Sequence, residues 1–490
     1  MKLKIFIGGL LLVVLNSCSK DFLTITPQTS VVAASFFLTE EDYRQAVTGT
    51  YRPLHGLFND AYVMGEMRSD NTHYVFKSND RGGQNVQREN ISGFTDISTN
   101  GYTRSKYVNC YSGIAKANAV LVRIDAAPLA DAVKKNLKGQ AEFLRAFYYF
   151  ELVQYFGDVP LHLTEVTEAS QTSLARSPKA DVYKQIIADA TDAAALLPIT
   201  QNPKGQATKG AAKTLLAYVY MTLKQYPEAE AALKEVVNMG YSLLPDYAAV
   251  FDPSNKNHAE SIFEVQYLQG TFGLSSNFAY QFAPAVTDTK NITGITGNNQ
   301  GFGGWNIPSN DLIASYEAGD KRKAISIADG YNDANGVFVA QPYVKKYTHP
   351  HTTFNNTNNN WPVYRFADVL LLLAECLTEQ NKPADALPFL NAVRKRAGLG
   401  DITTTNQVAL RDIIAKERRV ELAFENKRWL DLVRTGKAIE VMTSYGSKMK
   451  QQYPYLGAET YNVTANRFIF PVPFDELAIN KLLTQNPGYQ

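Results

Sequence analysis

Residues 211–237 read AAKTLLAYVYMTLKQYPEAEAALKEVV, with apolar positions recurring every three or four residues. That is the period of helices burying one face. Ala217 and Tyr220 share a face, Ala229 follows Ala217 by twelve residues, and Leu233 comes four later. Residues 365–398, RFADVLLLLAECLTEQNKPADALPFLNAVRKRAG, repeat the spacing with Ala374, Ala386 and Leu390. Small residues at such points let two antiparallel helices approach closely, as in a tetratricopeptide repeat. Pro227 and Pro383 fall where the second helix of each pair should start. Further helices are predicted over 39–57, 103–125, 131–156, 181–197 and 407–434. The first is capped by Thr39, with Glu40, Glu41 and Asp42 in its first turn. Two long segments, 70–100 and 251–361, break the helical pattern with Asn, Asp, Gly and Ser, and the alternation over 261–267 predicts a strand. The predicted fold is mainly α, with tetratricopeptide-like repeats, long irregular insertions and a few short strands.

The apolar run from Ile5 to Leu15 stands apart. It follows Lys2 and Lys4 and is too short to span a bilayer, which takes about 20 apolar residues. It has the form of a secretory leader. Leu15-Asn16-Ser17-Cys18 resembles a bacterial lipobox, whose cysteine is acylated and becomes the new N-terminus. The division expected is a leader over 1–17, a tether over 18–38 lipidated at Cys18, and one helical domain over 39–490. Several acyl chains on one residue anchor a protein without a spanning helix.

Charge and reactive residues narrow the chemistry. Of 49 Lys and Arg, two lie in the leader, so the remainder equals the 47 Asp and Glu, and nucleic acid is not an expected partner. Cys110 and Cys376 lie in helical patterns, compatible with either a disulfide or two packed thiols. No phosphate-cradling glycine loop, nucleophile elbow or activated cysteine is evident. His349 and His351 form an H-x-H pair without a third ligand nearby, so neither a metal nor a cofactor is expected. Glu417, Arg418, Glu421, Glu425, Arg428 and Asp431 place opposite charges three or four residues apart. They read as an ion-pair network locking one helix to its neighbours, with Trp429 as a packed anchor, rather than as catalytic acids. Arg145 and Glu142 read the same way. The chain is not expected to be an enzyme.

Five segments together resemble the SusD/RagB family of outer-membrane lipoproteins. They are GQAEFLRAFYYFELVQYFGDVPL from Gly139, YSGIAKANAVL from Tyr111, the repeat from Arg365, ERRVELAFENKRWLDLVRTGK from Glu417, and FPVPFDELAINKLLTQNPGY from Phe470. They occur in family order across nearly the whole chain. A departure lies near the start, where Thr24 follows Phe22-Leu23 ahead of Pro27. The resemblance implies a SusD-like helical body whose partners are an oligosaccharide, a SusC-like TonB-dependent transporter and, through Cys18, the outer-membrane lipid. It implies a lipid-anchored position on the outer membrane facing the exterior, with Ser19-Lys20-Asp21 resembling the export signal. Members that take up peptides are the alternative; a hydrolase is the weaker third reading.

Sugar capture needs flat rings for the apolar faces of pyranoses and polar groups for the hydroxyls, since unpaired buried polar groups are costly. Two loops carry both. One holds Asp70, Asn71, Tyr74, Phe76 and Arg81; the other holds Phe302, Trp305 and Asn306. Trp361, just before a helix predicted to start near Tyr364, is a third candidate. Trp305 is expected to be the stacking platform, with little weight in stability.

Overall fold

The computed structural model describes residues 36–489. Cys18, the 1–17 leader and most of the 18–38 tether lie outside the described residues. Among the described residues, twelve longer helices carry the fold: α1 (Glu40–Asn59), α2 (Gly83–Ser92), α3 (Gly101–Ile124), α4 (Asp131–Phe156), α5 (Lys179–Leu196), α6 (Lys209–Thr222), α7 (Tyr226–Val237), α8 (Phe366–Glu379), α9 (Pro383–Arg396), α10 (Gln407–Glu421), α11 (Arg428–Arg434) and α12 (Ala438–Gln452). Thr39 caps α1 in a reciprocal box with Asp42. From α3 to α8 each helix packs on the next, and α1 lies against α3. Ala217, Ala229, Leu233, Ala374, Ala386 and Leu390 are all fully buried, so the two predicted hairpins, α6/α7 and α8/α9, form through the small residues that mark them. The hairpins meet where α7 packs on α8. Cys110 and Cys376 are separate buried thiols.

Among the described residues, eight short strands make four antiparallel pairs. β2 (Ser261–Val265) pairs with β8 (Trp361–Arg365), and β1 (Thr72–His73) pairs with β3 (Ile307–Pro308). Trp361 therefore opens a strand rather than preceding a helix at Tyr364. Its ring is fully buried, stacked on Tyr347 at 5.6 Å and edge-on to Phe278 at 5.1 Å. The expectation that Trp361 meets ligand is corrected: it is core.

The helix predicted over 407–434 is two helices. Between α10 and α11 the backbone turns through Phe424 and Asn426, both in the left-handed region at φ 66° and 65°. The buried Glu66 carboxylate accepts their N–H groups at 2.9 and 3.1 Å and holds this turn. The charges of the segment pair mostly across elements rather than along the helix. Glu417 and Glu421 meet Arg322 at 2.6 and 2.9 Å, Glu421 meets Arg365 at 2.5 Å, and Glu425 meets Arg365 at 2.7 Å and Lys346 at 2.8 Å. Trp429 is fully buried, edge-on to Phe94 at 5.4 Å.

Arg145 grips Asp189 with two bonds of 2.7 Å, but its neighbour Glu142 does not join the network. Glu142 is buried and its Oε2 has no hydrogen-bond partner among the described residues. Burial, with Asp189 and Asp192 nearby, pushes its carboxyl up to about 8. A carboxyl raised in the folded state binds its proton more tightly there, so stability falls as pH rises above the ordinary carboxylate range, until the folded group has ionised. Glu142→Gln should therefore raise the melting temperature relative to wild type at pH 9 and change it little at pH 4. Equal effects at both values in calorimetric scans would contradict this.

Candidate functional site

Three loops far apart in sequence converge beside the β1–β3 pair. Val75 N–H donates to Gly304 O at 2.8 Å, and Lys77 Nζ donates to Gln300 O and Gly301 O at 2.9 and 3.2 Å. The loop after α12 brings in Tyr453 and Tyr455. Phe76 and Tyr455 stack face to face, with centroids 4.2 Å apart and planes 9° apart, and the Arg81 guanidinium lies 4.6 Å over Phe76. Arg81 is held there by a two-bond pairing with Glu89, both at 2.7 Å. Phe76, Tyr453 and Tyr455 are half-buried and Arg81 is exposed, so the stack forms a ledge that solvent reaches.

His73 supports the ledge from within. It stacks on Tyr453 and Tyr74, each at 4.4 Å, and its Nε2 lies 2.7 Å from the Tyr455 hydroxyl. Burial pushes its imidazole down to about 3, so the ring is neutral at working pH and packs without charge. Its Nδ1 has no hydrogen-bond partner among the described residues. Next to Tyr453 lies a pocket of about 240 Å³, lined also by His73, Asn310, Asp311, Lys448 and Gln452. Ring faces and hydroxyl-matching polar groups thus stand together, which is what a carbohydrate site requires. A wider groove of about 790 Å³ runs elsewhere, between α1, residues 204–206 and β2.

The structure sorts the predicted residues. Phe76 and Arg81 are in the ledge, and Phe302, 49% exposed, sits on the adjoining 298–302 loop. Tyr74 is buried behind the rings. Asp70 lies further in, paired with Arg419 and Arg428 at 2.8 Å each, and Asn71 donates to Glu66 and accepts from Arg419. Both are corrected to structural ties. Trp305 has no exposed surface. It lies under the ledge, with Arg88 4.8 Å and Lys77 5.3 Å over its ring, so it cannot itself stack on a ligand. Asn306 is equally buried, in the left-handed region at φ 54°, with neither end of its amide partnered among the described residues. Reasoning from sequence missed His73, Tyr453, Tyr455, Asp311, Lys448 and Gln452. The one available signal was YPYLG, two rings flanking a proline just past a helix.

No group of metal-ligating side chains is present among the described residues. His351 bonds Tyr280 at 2.6 Å while His349 bonds Asn359 at 2.9 Å, so the H-x-H pair serves two separate loop contacts.

Comparison with known proteins places these features in context. The model of the SusD family matches residues 326–489, and one described as starch-binding and associating with outer membrane matches residues 22–221. A SusD-like protein of Formosa agariphila is 29% identical over 98% of each chain. The starch-binding protein SusD of Bacteroides thetaiotaomicron is 22% identical, over 89% of this chain and 86% of its own. Among solved structures, a laminarin-binding SusD-like protein superposes with a TM-score of 0.78 at 27% identity, covering 92% of this chain and all of that one.

Proposed function

The chain belongs to the SusD family, and from that premise we propose that it is a non-catalytic glycan-binding protein of the outer membrane. It captures an oligosaccharide on the Phe76–Tyr455 ledge and in the adjoining pocket, then delivers it to a SusC-like TonB-dependent transporter. Acylation at Cys18 holds it on the outer face of the membrane, which raises local concentration so that modest affinity suffices. The observation that carries the reading is the solvent-reachable stack of Phe76 and Tyr455 beside a pocket lined with hydroxyl-matching groups. The starch- and laminarin-binding relatives support the ligand class.

The test is calorimetric titration of the mature chain with laminarin, amylose and a peptide panel. A glycan should bind saturably. Phe76→Ala combined with Tyr455→Ala should cost about 2 kcal/mol, roughly a 30-fold weaker Kd, as loss of a central aromatic anchor does. Saturable binding of peptides alone would overturn the proposal.

A further inference from the structure

We infer that the ligand of this site is an uncharged glycan, an inference that rests on the glycan-binding reading above. The ledge and pocket are bordered by cations, yet each is already engaged. The Arg81 fork is filled by Glu89 at 2.7 Å on both oxygens. Lys448 is paired with Asp311 at 2.8 and 3.1 Å. Lys77 donates to two carbonyls of the 298–302 loop. Lys450 donates to Ala458 O and Thr460 O.

A sulfate or uronate needs a cation free to bind it, best an unpaired arginine fork. An anionic sugar that took its cation from Arg81 or Lys448 would leave Glu89 or Asp311 facing its own charge. A neutral sugar meets no such cost. Its hydroxyls both donate and accept, so they match Asp311, Asn310 and Gln452 together.

Two uncharged glycans, laminarin and amylose, and two anionic ones, alginate and carrageenan, would be titrated into the mature chain in dilute buffer and with about 0.5 M NaCl, which screens beyond a few ångströms. The expected result is saturable binding of an uncharged glycan, with a Kd that changes less than about twofold with salt. Anionic binding should be at least tenfold weaker. Asp311→Asn, which frees the exposed Lys448, should then raise alginate binding several-fold in dilute buffer only. Tight, salt-sensitive binding of an anionic glycan to the wild type would overturn the inference and leave the glycan reading standing. Alginate binding unchanged by Asp311→Asn would also overturn it, since charge pairing would not be what excludes anions. Binding of none of the four would overturn both.

Discussion

Replacing Arg365 with methionine is expected to lower folding stability by about 3–5 kcal/mol, the range for removing one partner from a buried ion network. Arg365 is 1% exposed and its guanidinium faces three carboxylates: Glu260 at 2.9 Å, Glu421 at 2.5 Å and Glu425 at 2.7 Å. Methionine fills similar volume but leaves those charges short of a cation in a site water does not reach. The same network gives the protein an acid limit. Burial pushes the Glu421 carboxyl up, but Arg396, Arg365 and Arg322 outweigh it and hold the group well below the ordinary 4.5. A carboxyl depressed in the folded state contributes stability that is complete above its unfolded value and is lost as pH falls through the folded one. Urea unfolding from pH 7 to pH 3 should show wild-type stability falling below about pH 4.5, with a shallower fall in Arg365→Met. A variant as stable as wild type at pH 7 would show that the network is dispensable.

Trp305→Ala carries the second large effect, again on stability. Truncating a fully buried aromatic costs about 3–5 kcal/mol through lost burial and the cavity left behind. Arg88 and Lys77 also lie over the ring and Tyr74 beside it, so its loss loosens the inner side of the ledge. Melting temperature should drop strongly, and glycan affinity at a temperature where the variant is folded should fall only modestly. Trp305→Phe should recover most of both. The reading from sequence alone expected the reverse, binding lost with stability kept.

That reversal shows what the chain makes legible. The α6/α7 and α8/α9 hairpins could be read because helix pairing depends on local spacing, with small residues twelve apart across a short turn. The break at 424–426 could not, because Glu66, some 360 positions earlier, stabilises its left-handed turn. Trp305 misled for a similar reason. GFGGWN reads as an open loop, yet a side chain on Gly303 would meet Ala283 O at 2.6 Å and Pro284 O at 2.7 Å. The glycines there let the backbone lie tight on its neighbour and carry the next ring inward. Phe76 and Arg81 were visible as chemistry, but the ring that completes the ledge, Tyr455, comes from the other end of the chain and is placed only by tertiary packing.

Whether the ledge is where glycan is held is tested most directly by amide hydrogen exchange of the mature chain with and without saturating laminarin. Ligand should slow exchange over residues 73–82, 298–303 and 448–459 and leave α1 and residues 204–206 unchanged. Protection confined to the larger groove between α1 and residues 204–206, with the ledge exchanging as before, would contradict the account.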